Sequence, residues 1–252
     1  MTTSNDPQAA AAPSKPTSRT RWVRTLIIVL VAWAIAAYLL VPWLWKEHFR
    51  HDAAADAIPN ITLTGDGHPG DPLNISIVGD DRQLVLAMGA AGWVPADPIT
   101  FDTSVRIAVD SVIRRPDNDA PVSALFLYKR KQDLAFEQPI GHSPAQRHHV
   151  RFWRSSETDD SQPGAPRWIG SATLDERVGL SHTTGQVTHH IGPDVDAERD
   201  RIVQELTDAG WVEKIEWIDG FHTQLEGRNG GGDLWRTDGR LAIVTLRGQA
   251  VR

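Results

Sequence analysis

The chain has no cysteine among its 252 residues. Disulfide bonds, thiolate metal ligands and a cysteine nucleophile are therefore excluded. The folded part must be stabilised by packing, and any metal site must be built from histidine and carboxylate side chains.

Basic residues are scarce over most of the chain. Of 26 basic and 32 acidic residues, the first 24 positions hold four basic and one acidic, which leaves 22 basic and 31 acidic residues and a net charge of −9 for the remainder. A protein that binds nucleic acid needs a basic face to displace counterions from the phosphates. We therefore exclude nucleic acid as a partner.

A long uncharged run covers residues 25–45. At about 1.5 Å per residue, a helix of this length reaches about 31 Å, which matches the roughly 30 Å hydrocarbon core of a bilayer. Tryptophan and tyrosine side chains accompany the run, as expected where a spanning helix meets lipid headgroups: Trp22, Trp33, Tyr38, Trp43 and Trp45. The run predicts one transmembrane helix, with the lipid bilayer as a partner.

The flanking charges predict the orientation of this helix. Basic residues at positions 15, 19, 21 and 24 precede the run, whereas Lys46 and Arg50 after it are mixed with acidic residues. This bias places the N-terminus in the cytoplasm and the C-terminal part outside the cell membrane. Ala34-Ile35-Ala36 is similar to a signal-peptide cleavage site, but the apolar run continues beyond it, which favours an uncleaved anchor.

Composition divides the rest of the chain. Residues 1–24 are rich in Ala, Ser, Thr and Pro, which is typical of a disordered tail, here a cytoplasmic one. Residues 46–71 mix charge with Gly and Pro, as in a linker. Residues 72–252 remain and are long enough for one buried core, so a single extracytoplasmic domain is expected.

A weak internal repeat indicates the architecture of this domain. Residues 74–79 alternate like a strand, and residues 80–94 have the pattern of a capped helix that ends in Ala-Gly-Trp-Val; residues 187–212 repeat both features. Further strands are expected at residues 125–128, 134–137, 148–153, 167–173, 178–181 and 241–246, and a helix at residues 104–115. The pattern predicts an α+β domain with two strand-helix-strand units, a mixed or antiparallel sheet, and helices mainly on one side.

Two polar stretches, residues 141–153 and 179–200, hold six of the ten histidines. With Pro121-Val122-Ser123 and residues 130–136, they resemble the LssY C-terminal domain family of bacterial membrane-associated proteins over about residues 72–200. The resemblance implies an appendage to a membrane module, often a type-2 phosphatidic-acid phosphatase or DedA-like segment, but no particular reaction. Because Pro139-Ile140-Gly141-His142 lacks the serine of the lipid-phosphatase signature, that chemistry is not carried over.

The histidines suggest a metal site. A hairpin with His182 opposite Val187 would put His182 and His189 on one face, near residues of the strand at 148–153. Imidazoles and a carboxylate suit a divalent metal such as zinc, which could activate water for hydrolysis. The candidate ligands are His148, His149, His182, His189, His190 and Asp194. The alternative is that these histidines only form hydrogen bonds within buried strands.

The arginines suggest an anion site. Arg130, Arg147 and Arg151 are concentrated within an otherwise acidic domain, and paired arginines can bind a phosphate or carboxylate. An anionic lipid or envelope precursor is then the expected ligand, although Asp133 and Glu137 could neutralise the same arginines. The glycine-rich residues 227–232 lack the Lys-Ser/Thr of a phosphate-binding loop and lie between strand-like segments, so we interpret them as a mobile loop.

The sequence therefore favours a single-pass, membrane-anchored protein of the cell envelope. Its outer domain is expected to be an accessory module that binds a ligand or a membrane protein partner. A metal-dependent hydrolase that acts on a phosphorylated or lipid-derived envelope substrate is the alternative, and the sequence leaves open whether the protein is an enzyme.

Overall fold

The apolar run forms a helix near the N-terminus of the protein. The computed structural model describes residues 18–41, 43–44, 60–96, 124–141, 146–158 and 166–248. Helix α1 (Ser18–Ile35) continues into a π-helical turn, Ala36–Leu40. Residues 21–40 are long and apolar enough to cross a membrane, and their side chains are almost all exposed. Since such a surface is favourable in lipid and unfavourable in water, this helix could anchor the chain in a membrane.

The strands of the domain are β1 (Ile61–Thr64), β2 (Pro69–Pro72), β3 (Ile75–Val78), β4 (Val94–Pro95), β5 (Leu125–Leu127), β6 (Arg130–Lys131), β7 (Leu134–Pro139), β8 (Arg147–Thr158), β9 (Pro166–Leu180), β10 (Val187–Ile191), β11 (Val212–Ile218), β12 (Glu226–Arg228), β13 (Leu234–Arg236) and β14 (Leu241–Leu246). Eight of them form a sheet in the order β11-β14-β3-β9-β8-β7-β4, with β10 paired to β9. The β14–β3 pair is parallel, and the other pairs in this sheet are antiparallel. The prediction of a mixed sheet is confirmed.

Helices α2 (Asp81–Ala90) and α3 (Val195–Asp208) pack together against one face of this sheet. Each begins at an aspartate whose carboxylate accepts a hydrogen bond from a backbone N–H of the first turn, Asp80 in α2 and Asp194 in α3. Trp93 and Trp211, from the repeated Ala-Gly-Trp-Val segments, are buried in the main core. The predicted α+β class and the two strand-helix-strand units are therefore confirmed.

A smaller sheet covers the opposite face. It has the order β2-β1-β5-β6, and its apolar side chains join a second core with side chains of the large sheet: Leu73, Val78, Leu125, Leu127, Trp153, Ile169, Leu241 and Ile243. The prediction of a linker at residues 46–71 is corrected at its C-terminal end, because residues 61–72 form two strands of this folded layer. The predicted helix at residues 104–115 lies outside the described residues.

Strand β9 is longer than predicted. The sequence suggested two strands at 167–173 and 178–181, but β9 is continuous because β3 pairs with its first part and β10 with its last part. The buried Asn74 amide joins the middle of β9 to the start of α3: Nδ2 donates to the carbonyls of Ala172 and Val195, and Oδ1 accepts from Ala172 N–H. The side chain thus replaces strand hydrogen bonds at this junction.

Candidate functional site: a buried polar layer between two sheets

The face of the large sheet that is turned away from the helices carries a buried polar layer. Side chains alternate along a strand, so the residues next to the apolar Val150 and Phe152 on β8 share the opposite face. Six buried polar residues of β8 and β9 belong to this layer: Arg147, His149, Arg151, Ser171, Thr173 and Asp175. The predicted alternation of side chains along β8 is confirmed. Because the layer is buried, its charged side chains must form ion pairs and hydrogen bonds with one another.

Arg147 joins three strands through two ion pairs. Its Nη1 lies 2.8 Å from Glu137 Oε2 on β7, and its Nε lies 2.9 Å from Asp175 Oδ2 on β9. All three side chains are less than 10% exposed. Because buried charges are tolerated only when paired and hydrogen-bonded, Arg147 acts primarily as a structural residue.

Arg151 connects the layer to the smaller sheet. Its Nη1 lies 3.4 Å from Asp71 Oδ2 on β2, and the other oxygen of Asp71 accepts a 3.0 Å hydrogen bond from Asn229 Nδ2. Burial raises the pKa of the Asp71 carboxyl, although Arg151 and Asn229 oppose this shift. Asp71 is therefore a carboxyl group that can be held in its neutral form at a higher pH than usual.

Two histidines border these charges in neutral form. Burial lowers the pKa of His189, whose Nε2 accepts from Arg147 Nη2 at 3.4 Å. Burial, together with Arg151, Arg147 and His189, lowers the pKa of His149 well below its usual value. His149 is fully buried, and neither ring nitrogen has a hydrogen-bond partner among the described residues.

A cavity of about 60 Å³ opens above this layer. Its polar lining consists of Thr64, Asp71, Arg151, Asp175, Thr188, His189 and Asn229. Gly230 and Gly231 of the loop between β12 and β13 complete one wall. Asn229 Oδ1 holds this loop by accepting hydrogen bonds from the N–H groups of Gly231 and Asp233. The glycine-rich segment, which we interpreted as a loop from the sequence, thus contributes to the lining of the cavity.

The structure separates most of the predicted metal ligands. His148 lies on the helix side of the sheet, where its Nδ1 is 2.8 Å from Glu198 Oε2 of α3. Asp194 is the N-cap of α3, and its carboxylate is bonded to Ala197 N–H. His149 and His189 lie in the polar layer beside the two arginines. These four residues do not form one metal site.

The predicted register of the β9–β10 hairpin is wrong. Val187 pairs with Leu180 rather than with His182, because Ser181 N–H bonds to Gln186 O and its hydroxyl accepts from Thr183 and Thr184 N–H groups in the turn. His182 therefore lies in the turn, with its ring centroid 5.1 Å from that of His190. Of the predicted ligands, His182 and His190 come together, and Asp233 joins them.

The predicted anion-binding arginines are also separated. Arg130 lies in the smaller sheet and forms an ion pair with Asp133, as the sequence had suggested. Arg147 is held by Glu137, the other predicted neutralising group, and by Asp175. Arg151 is the one of the three that lines the cavity.

Four carboxylate or amide residues of this region were not among the candidate site residues predicted from the sequence: Asp71, Asp175, Asn229 and Asp233. A signal existed for Asp175, because Ser171, Thr173 and Asp175 alternate with Gly170, Ala172 and Leu174 along β9. The other three come from segments distant in sequence and were placed by tertiary contacts.

We predict that His149 makes folding sensitive to acid. The folded imidazole stays neutral, whereas the unfolded one binds a proton near its usual pKa of 6.5, so the unfolding free energy falls as the pH drops below 6.5. The limiting slope is about 1.4 kcal/mol per pH unit. Urea unfolding of wild type and His149→Met between pH 7 and 5 should give a shallower slope for the variant; equal slopes would contradict the assignment.

Comparisons with known proteins give the family of the chain. The family model of the LssY C-terminus matches residues 55–241, a range that includes the smaller sheet, α2, α3, the polar layer and every strand of the large sheet except β14. Neither the curated proteins nor the solved structures gave a match. The match covers most of the chain, and the protein belongs to the LssY C-terminal family.

Proposed function

We propose that the protein is an accessory module of the cell envelope that binds a small hydroxylated anion in the cavity between its two sheets. The observation that carries this proposal is the cavity itself, where Arg151 stands beside Asp71, Asp175 and Asn229. A guanidinium binds a phosphate or carboxylate through charge-assisted hydrogen bonds. Carboxylate oxygens accept hydrogen bonds from hydroxyl groups.

The raised pKa of Asp71 supports an anionic ligand. Burial raises the pKa of this carboxyl, and an arriving anion raises it further. Proton uptake by Asp71 on binding would let this carboxyl donate a hydrogen bond toward the anion beside the Arg151 guanidinium. Asp175 remains as an acceptor for a neighbouring hydroxyl.

The volume of the cavity limits the ligand. A cavity of about 60 Å³ has room for roughly four or five non-hydrogen atoms, at about 10–15 Å³ for each water-sized group. This suits the phosphate or carboxylate group of a ligand and excludes an acyl chain, and the hydroxylated part of a larger ligand then lies in the opening of the cavity. Both a glycerophosphate headgroup and a free acidic sugar offer this chemistry.

We predict that the full-length protein in neutral detergent binds glycerol 1-phosphate and does not bind glycerol, as measured by isothermal titration calorimetry. Arg151→Gln should weaken the binding roughly tenfold or more, since a charge-assisted hydrogen bond contributes about 1.5–3 kcal/mol. Arg154→Gln is the matched control: Arg154 lies on the same strand, is exposed and pairs with Asp81.

Equal binding by wild type and Arg151→Gln, or no binding of glycerol 1-phosphate at millimolar concentration, would contradict the cavity as its site. Two further measurements distinguish the source of the ligand. Displacement of glycerol 1-phosphate by water-soluble, short-chain phosphatidylglycerol indicates a lipid headgroup, whereas binding of galacturonate without such displacement indicates a soluble sugar acid. Thermal melting of each variant checks that the fold is retained.

The proposal also places this domain outside the cell membrane, with α1 as an uncleaved anchor and the N-terminus in the cytoplasm. The basic residues before the span support this orientation. The chain has no cysteine, so each engineered cysteine is the sole reactive thiol.

We predict that Gln204→Cys, at an exposed position of α3, reacts with a membrane-impermeant maleimide on intact cells. Ser14→Cys, in the N-terminal segment, should react only after lysis. Labelling of Ser14→Cys but not of Gln204→Cys on intact cells would show the opposite topology and contradict the proposal.

A further inference from the structure

Three potential metal ligands converge next to the polar layer, from three separate segments. His182 lies in the β9–β10 turn, His190 on β10, and Asp233 in the loop between β12 and β13. One ligand atom from each of the three lies within 4.8 Å of the others. Two ligands that are about 2.0 Å from a tetrahedral zinc ion lie roughly 3.3 Å apart, so small side-chain rotations would bring these atoms to the required spacing.

The buried His190 imidazole is already oriented by Asp233. The His190 Nδ1 and Asp233 Oδ1 atoms are 2.6 Å apart, and Asp233 Oδ2 accepts a hydrogen bond from Ile191 N–H. His190 is 2% exposed. Since Nδ1 and Oδ1 already face each other, an ion that replaces the proton between them would take both atoms as ligands.

Two glycines provide the space for these imidazoles. A Cβ at Gly179 would lie 2.8 Å from His190 Nε2, and a Cβ at Gly232 would lie 2.7 Å from His182 Cβ. Gly232 also has a φ of +86°, which side chains rarely adopt. A side chain at either position would therefore collide with one of the two histidines.

The turn and the loop are fastened to each other independently of any ion. His182 N–H donates to Gly231 O at 2.8 Å, and the Thr183 hydroxyl bonds to Gly230 O. Because the two segments are held at their backbones, the ligand side chains do not need to order a flexible chain when they bind. This preorganisation lowers the entropic cost of binding.

We propose that His182, His190 and Asp233 bind a divalent transition-metal ion. Two imidazoles and one carboxylate suit zinc rather than calcium or magnesium, which prefer sites made of oxygen ligands. His182 is exposed, so solvent can reach the ion and supply the remaining ligand. None of these three ligands lines the anion cavity, so the metal site and the anion site are tested separately.

The test is zinc binding by the full-length protein in neutral detergent, purified without a histidine tag. After treatment with a chelator, the protein should rebind one zinc ion per chain in equilibrium dialysis against a zinc buffer. Cobalt should replace zinc and give the visible d–d absorption of a tetrahedral site. His182→Gln and Asp233→Asn should each weaken zinc binding at least about 100-fold, because each removes one of three protein ligands.

His148→Gln is the matched control, since His148 pairs with Glu198 on the helix side of the sheet, and it should bind zinc as the wild type does. His182→Gln changes an exposed side chain, so its loss of binding cannot be attributed to unfolding when its melting curve matches that of the wild-type apoprotein. Zinc below 0.1 equivalent per chain at micromolar free zinc, or wild-type affinity in His182→Gln, would overturn the proposal.

Discussion

The ion triad of Glu137, Arg147 and Asp175 is the interaction on which the candidate site depends. It fastens β7, β8 and β9 at the end of the sheet where β10 and the hairpin of β12 and β13 approach. Loss of one partner of a buried ion pair leaves an uncompensated charge, at a cost of about 3–5 kcal/mol. The triad therefore fixes the relative positions of β8 and β9, the strands that carry Arg151 and Asp175 of the cavity.

The two faces of the large sheet have different roles. The helix face is apolar and carries the main core, including four fully or nearly fully buried aromatic rings: Trp93, Phe136, Phe152 and Trp168. The opposite face is apolar near Trp153 and Ile169 and polar toward Arg147 and Asp175. The apolar regions hold the smaller sheet in place, and the polar region between them and the sheet edge encloses the cavity.

The sequence predicted the regular parts of this fold well. Two features depend on local sequence patterns and are present in the structure. They are the buried tryptophans that follow the two helices, Trp93 and Trp211, and the alternation of side chains along β8. The pairing of Arg130 with Asp133 and of Arg147 with Glu137 was also anticipated, because these residues are close in sequence or on neighbouring strands.

The site could not be predicted to the same extent. The position of His182 depends on the hairpin register: the Ser181 N–H to Gln186 O bond closes a turn of residues 182–185, so Val187 pairs with Leu180 and not with His182. Asp71, Asn229 and Asp233 reach the site from a strand assigned to a linker and from a glycine-rich loop. Such contacts between distant segments are set by how the smaller sheet and the β12–β13 hairpin pack, and no local pattern encodes them.

We propose that the cavity between the two sheets receives a hydroxylated anion at Arg151. A crystal structure of the protein grown with glycerol 1-phosphate tests this most directly. We expect density for the phosphate within hydrogen-bond distance of Arg151, with Asp71 and Asn229 beside it and the Arg147 ion triad unchanged. A cavity that contains only water while the ligand binds elsewhere on the protein would contradict it.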